Sequence, residues 1–322
     1  MKRALCAVLL LVAAAGAEIA SVAAQSYPAT TIRIVVGFGP GSTADTLARL
    51  IGKQFEVQFN QPVIVENRPG NSSMLAAEAV ARAPKDGYTL FMATVANTIN
   101  PAQNSSSFNL GTDLAPVALL GVVPNVLMAH PSEPADNLAQ LIALAKEKPD
   151  SLTFGTSGAA TASHLAAELF NIKAGTKILA VHYQGGSNQA LPDLLAGRTT
   201  LMFNVAATLA PHVSAGKLKA IAVAQPKRTG AMPDVLTMDE AGMPGFDAGV
   251  WIGLLAPAGT PPEVVGQLSA AANAALKIEA VTAALKAQGI DPLGSTPQAF
   301  ASFIAADIAK WVSVLTATGM RK

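Results

Sequence analysis

The chain has 322 residues, 51% of them hydrophobic and only 13% charged, with a formal net charge of +1 at pH 7. That balance offers neither the basic face that nucleic acid demands nor a surface drawn to acidic membranes. Its one cysteine, Cys6, lies close to the start, so the remainder of the chain has no thiol for a disulfide, a thiolate nucleophile or a cysteine-bound metal.

Lys2 and Arg3 precede an apolar run over 4–17, and the small residues Val22, Ala23 and Ala24 offer a cleavage site. This pattern predicts a secretory signal peptide over 1–24, cut near Ala24. A membrane anchor is the weaker reading, because the apolar core is short and Glu18 interrupts it. Without Lys2, Arg3 and Glu18 the formal charge balance falls near zero.

The stretch that organises the chain follows. Ile32, Arg33, Ile34, Val35 and Val36 read as a strand, three glycines (Gly37, Gly39, Gly41) loosen the loop after it, and a helix is expected over 43–59. Such a helix start presents unpaired amides and partial positive charge, and so holds anions without a lysine. Next come a strand over 62–65, a turn over 66–70, and a helix over 74–83 capped by Ser72 or Ser73. A turn at 84–87 leads to a strand over 88–94, which opens into a polar loop over 95–101. The apolar run 117–129 is too short to span a bilayer and is broken by Gly121 and Pro124, so it reads as buried strand crossing between lobes.

After a helix over 137–148 the opening pattern recurs. A strand from Leu152 passes through Gly155, Thr156, Ser157 and Gly158 into a helix over 162–170. It returns as strand 178–183, loop 184–188 and helix 191–195, then as strand 201–203 with Asn204 leading toward His212. Strands over 220–224 and 249–255 are expected to return the chain to the first lobe, and helices over 263–276 and 297–314 to finish it. Alternating apolar strands, small polar loops and amphipathic helices predict an α/β fold with parallel sheets and ligands at the strands' carboxyl ends.

Ser42 with Asp45 three residues on fits a capping box, which by itself explains both side chains; the alternative is that Ser42, Thr43 and the loop amides hold a ligand oxygen. Thr161 reads as a second cap, with His164 near the positive end of the next helix. His164 and Glu168 share a face as metal ligands can, but no second pair with that spacing occurs, so a packed or capping histidine is the better reading and no metal is expected. Gly155-Thr156-Ser157-Gly158-Ala159 approaches a nucleophile elbow but ends in Ala, and the dinucleotide and phosphate-loop patterns are incomplete, so no cofactor is expected. Arg68 in its turn reads as structural, and Tyr183 and Trp251 serve a core as readily as a pocket wall.

Pro40-Gly41-Ser42-Thr43-Ala44-Asp45, Val65-Glu66-Asn67-Arg68-Pro69-Gly70, Lys85-Asp86-Gly87-Tyr88-Thr89-Leu90, Ile99-Asn100-Pro101, the stretch 157–165 and the run from Trp251 to Pro261 together resemble the Bug family, the extracytoplasmic solute-binding proteins of tripartite tricarboxylate transporters. The resemblance spans the chain beyond the leader. It implies a two-lobed, type II-like periplasmic binding protein, with 25–125 and 225–322 in one lobe and 126–224 in the other, crossing strands between them and a ligand cleft. It further implies a small organic carboxylate as ligand, a membrane permease as partner, no enzyme activity and a monomer. Carried over by position, the pocket falls on Phe38, Gly41, Ser42, Thr43 and Asp45; on Thr94, Asn97 and Thr98; on Thr156, Ser157, Ala159, Thr161 and His164; and on Tyr183, Gly185 and Asn204. Gly37 and Gly39 stand where the family commonly has prolines, Ser42, Asn71-Ser72-Ser73 and Ala160 where it has glycines, and Asn204 where it often has aspartate. Loss of that last carboxylate disfavours a ligand ammonium and points away from amino acids. A ligand-presenting subunit for a membrane sensor is the runner-up reading, and a secreted hydrolase using Ser157 and His164 the least favoured.

Overall fold

A computed structural model describes residues 27–103, 108–183 and 186–321; the expected leader and Gly185 lie outside them. In chain order the elements are β1 (Ile32–Val36), α1 (Thr43–Phe59), β2 (Val63–Asn67), α2 (Met74–Ala81), β3 (Thr89–Thr94), α3 (Ala96–Gln103), α4 (Leu110–Asp113), β4 (Leu114–Val123) and β5 (Asn125–Ala129). Then come α5 (Leu138–Glu147), β6 (Thr153–Thr156), α6 (Ala162–Ala174), β7 (Leu179–His182), α7 (Ser187–Leu195), β8 (Leu201–Val205), α8 (Ala206–Ser214) and β9 (Lys219–Val223). The chain closes with β10 (Val250–Pro257), α9 (Pro262–Ala275), α10 (Glu279–Ala287), β11 (Asp291–Pro292) and α11 (Pro297–Ala317).

These elements form two sheets, ordered β11-β4-β10-β3-β1-β2 and β7-β6-β8-β5-β9. β1, β2 and β3 are mutually parallel, as are β6, β7 and β8, while β10 and β5 run against them. The α/β, two-lobed expectation stands. β3 is buried along its whole length, as a strand covered by helices on both faces must be. Sheet 1 carries Ile34, Leu47, Ile51 and Phe55 on one face and Phe91, Trp251 and Phe300 on the other. Burying side chains of this size stabilises by about 1.5–3 kcal/mol each.

The apolar run expected to cross between lobes does so. β4 lies in sheet 1, Pro124 interrupts, and β5 lies in sheet 2. The second crossing runs from β9 to β10. Asn125 ties the two together: its carbonyl accepts from Ala224 N (2.8 Å), and its side-chain amide donates to Ala248 O (2.8 Å). α11 starts in the first body but also packs on α6 of the second, which bridges the lobes away from the crossing.

Several expectations need correcting. The segment 95–101 is no loop but the start of α3, with Pro101 inside it. β3 closes at Thr94, Val95 turns the chain, and the Asn97 side chain accepts from the last strand amide, which makes an immediate helix feasible (Thr94 N to Asn97 Oδ1, 3.0 Å). Glu66 and Asn67 belong to β2 rather than to the turn, because pairing with β1 continues to Val36↔Asn67. β9 pairs with β5 in sheet 2, so only β10 brings the chain back. The helix α10 was not expected from the sequence.

Candidate functional site

Strand register fixes where the loops point. Thr94 at the end of β3 is level with Ile252, Ile252 with Gly121, and β4 ends two residues later at Val123. Beyond Pro124, Asn125 opens β5 opposite Val205, the last residue of β8. The carboxyl ends of β3 and β8 therefore abut one crossing from opposite sides, and Ala206 N donates to Pro124 O at 2.8 Å across it. The parallel partners of each strand end on the same edges, so the 37–45, 68–73 and 94–98 segments face the 156–161 and 204–206 segments together with Tyr183 and the start of α7 at Ser187. That is the arrangement expected of a ligand site at strand carboxyl ends.

On the first side, Ser42 caps α1, accepting from Asp45 N at 3.3 Å, and Gly41 holds φ +80 before it. The Asp45 carboxylate, 2% exposed, collects four donors: Gly41 N (2.9 Å), Arg49 Nε (3.0 Å), Arg49 Nη2 (2.9 Å) and Asn67 Nδ2 (2.8 Å). Burial pushes its pKa up, but the hydrogen bonds from Arg49, Gly41 and Asn67 outweigh that and hold it below the usual carboxylate range. Its acceptor capacity is used up, so its place is in the brace under the loop. Phe38 is half-buried, its carbonyl held by Asn67 Nδ2 at 3.0 Å, whereas Thr43 is exposed.

Thr94, Asn97 and Thr98 are buried. Thr94 Oγ1 accepts from Ala96 N (3.3 Å), Asn97 caps the strand end, and Thr98 Oγ1 donates to Asp307 Oδ2 of α11 (2.6 Å). The same oxygen accepts from Trp251 Nε1 (2.8 Å). Thr98 and Trp251 thus belong to a buried network behind the loop. Arg68 pairs with Glu66, in keeping with a structural role.

On the second side the chemistry is neutral. Ser157 N donates to Ser163 Oγ (3.0 Å), and Ser157 Oγ contacts Thr161 Oγ1 (3.1 Å) and Ser163 Oγ (2.9 Å). Thr161 caps α6 through His164 N at 3.5 Å and gives its own proton to Gly158 O at 2.8 Å. Ala160 N donates to His164 Nδ1 (2.8 Å), while His164 Nε2 lies 3.5 Å from Glu168 Oε1. His164 is therefore occupied, and its Nδ1 is not bonded to Ser157 as a hydrolase pair would require. Thr156 is buried, its hydroxyl 2.8 Å from His182 Nδ1, and Ala159 is exposed. Tyr183 donates to Asp193 (2.6 Å), and burial together with that contact pushes its hydroxyl up to about 12. Asn204 turns its Oδ1 onto Val205 N at 2.8 Å. Among the described residues no group of three His, Cys, Asp or Glu side chains is placed to hold a metal ion.

The family model described as tripartite tricarboxylate transporter family receptor matches residues 47–320. The chain belongs to that family. BugT of Bordetella pertussis is 34% identical over all of this chain and 99% of its own length. A Rhodopseudomonas palustris protein solved with adipate is 34% identical, covers 91% of this chain and 98% of itself, and superposes with a TM-score of 0.72. A solute-binding protein of the same family from Polaromonas, solved with no ligand, is 26% identical, covers 91% and 100%, and has a TM-score of 0.84. The family is one of solute-binding receptors rather than enzymes.

Arg49, Asn67, Asn125, Ser163, His182 and Asp307 escaped the sequence reading. Arg49 was within reach, since it stands four residues after Asp45 on one helix face. Asp307 was too, as an acid inside an apolar helix with Lys310 three residues on. Asn67, Asn125 and His182 act across strands and carry no local signal.

Proposed function

We propose that this receptor captures a small organic carboxylate in the periplasm and delivers it to the membrane permease of a tripartite transporter. The observation that carries the reading is the pair of opposed helix starts, α1 at Ser42 and α6 at Thr161, on strand ends that meet at one crossing. Each offers free amides and partial positive charge without a cationic side chain, which suits a carboxylate at either end of one ligand. The adipate found in the R. palustris relative is of that chemistry. Ser42, Thr43, Gly41 and Phe38 would form one half of the clamp and Ser157, Ala159, Thr161, Tyr183, Gly185 and Asn204 the other. Thr94, Asn97, Thr98, Thr156, His164 and Asp45 would hold those loops in place. The lobes divide at 125 and 225.

The relative without ligand fits this chain better in shape than the more similar sequence holding adipate. A rigid rotation between lobes lowers such a score without changing either lobe, so we take the form seen here to be the open one. A panel of mono-, di- and tricarboxylates tested on ligand-stripped protein checks the function. A matching acid at a hundredfold excess over its dissociation constant adds about 2.7 kcal/mol of stability. If no acid in the panel raises the melting temperature, carboxylate capture is wrong.

A further inference from the structure

On the side of the crossing formed by α11 lies a cavity of about 480 Å³, a volume ordinary for a small-molecule site. Its walls come from both bodies. β4, β10, β11 and α11 supply one part, and the segment after β9, with Gln225 and Lys227, supplies the other. The floor is apolar and aromatic: Trp251 and Phe303 meet edge to face at 5.9 Å, with Leu293 at the rim.

Both signs of charge line this floor. Asp307, 3% exposed, is ion-paired with Lys310, whose Nζ lies 2.7 Å from its Oδ1; a carboxylate oxygen has two acceptor positions, so one remains inside the buried site. Asp247 and Asp291 stand on the same walls, and burial raises both carboxyls above their ordinary range. Lys310 donates to Asp247 O at 2.8 Å and Arg228 is paired with Glu240, whereas Lys227 and Lys286 are exposed and form no ion pair within 4 Å among the described residues.

We infer that this cavity is a second ligand site, separate from the carboxylate clamp, built for a zwitterion with an apolar body such as an apolar α-amino acid. The ammonium would sit by the Asp307 and Asp247 carboxylates and over the Trp251 face, the body against Phe303 and Leu293, and the carboxylate toward Lys227 and Lys286. A molecule bound there touches both lobes at their crossing. It also touches Asp307, whose other oxygen holds Thr98 in the first turn of α3, just beyond β3. Occupancy of the cavity is thereby linked to the position of the first-lobe loops, and by linkage the reverse holds.

L-phenylalanine is the probe, titrated into the purified protein by calorimetry and followed by tryptophan fluorescence, to which Trp251 and Trp311 both contribute. Phenylpropionate, which lacks the ammonium, and phenethylamine, which lacks the carboxylate, serve as controls. Binding of phenylalanine is expected at least tenfold tighter than of either control. It should persist in Ser42→Ala, be abolished in Leu293→Trp, which fills the cavity from its exposed rim, and weaken at least tenfold in Asp247→Asn, which keeps the side chain's shape. No binding of phenylalanine overturns the inference. So does binding that survives both cavity variants, or that is lost in Ser42→Ala, since the amino acid would then occupy the clamp.

Discussion

The two facing loop sets do the same mechanical work with different chemistry. On the first lobe an ionised brace of Asp45, Arg49 and Asn67 holds the Gly37-to-Ser42 loop. On the second, hydroxyls and imidazoles do so: Ser157, Thr161 and Ser163 bond one another, and His164 takes the Ala160 amide. A carboxylate brace keeps its form at any pH above its lowered pKa. Beside the second set stands His182, held below its ordinary range by burial first and then by His164, so that acidification charges a group next to those loops. The first lobe is thus the fixed half of the clamp and the second the half that conditions can loosen.

Breaking the ionised brace should have the largest effect. Asp45→Ala strips four donors of one buried acceptor, although Asn67 keeps its bond to Phe38 O and the exposed Gly41 amide rehydrates. Arg49 is half exposed and rehydrates, so the loss should be about 2–3 kcal/mol rather than the full cost of an orphaned buried charge. Urea unfolding measures it. Because the folded pKa of Asp45 lies below the unfolded one, its contribution is complete above the unfolded value and disappears as pH falls through the folded value. An Asp45→Ala variant as stable as the parent would move the brace out of the fold and back toward the ligand.

The brace also shows what the sequence discloses and what it hides. Ser42 and Asp45 announce a helix start, and α1 begins at Thr43 and ends at Phe59 as the pattern predicts. Their three-residue spacing cannot tell whether the carboxylate looks inward or toward a ligand, since that depends on Asn67, brought alongside only when β2 pairs with β1. The crossing at Pro124 is legible because an apolar run with one proline has few other uses. The misread segment over 95–101 is polar, which suggests a loop, but its polarity serves burial: Asn97 and Thr98 are fully enclosed and bonded. Polar residues look alike in sequence whether they face water or satisfy a buried strand end.

Non-glycine residues held in left-handed backbone sharpen the comparison. Asn71, Ser72 and Ser73 hold φ of 46, 49 and 74 on the first lobe, and Ala160 holds 55 on the second. Left-handed backbone strains a non-glycine residue by about 1–2 kcal/mol. Ser72→Gly and Ala160→Gly should therefore each raise stability, offset in part by the freedom glycine adds to the unfolded chain, for a net gain of about 1 kcal/mol or less. Thermal melts in parallel decide it. Destabilisation by Ala160→Gly would mean that the Ala160 amide bond to His164 depends on the methyl group's packing.

A smaller difference should appear on acidification. Burial first, and then neighbouring His164, depress the His182 pKa despite the opposing pull of Glu168. A depressed group favours the unfolded chain as protons bind, so the stability it confers is whole above the unfolded value near 6.5 and is lost as pH falls through the folded value. His182→Gln, which keeps a polar group beside Thr156, should flatten the fall of stability as pH drops below the unfolded value of about 6.5. An unchanged slope would place the pH response elsewhere.

The caps give the finest test. The two caps that face the cleft are long, 3.3 Å at Ser42 and 3.5 Å at Thr161, whereas Asn137 and Thr296, at helices away from it, accept at 3.0 and 3.1 Å. A longer cap bond contributes less to the helix and leaves the hydroxyl and the first-turn amides more available to an incoming oxygen. Ser42→Ala should then lower stability by less than the ~1 kcal/mol of an ordinary cap, while Thr296→Ala loses about that full amount. Ligand affinity should divide the other way, falling in Ser42→Ala and holding in Thr296→Ala. If both variants lose stability equally and bind alike, Ser42 is a cap and nothing more, and the anion-holding role of the α1 start passes to its backbone amides alone.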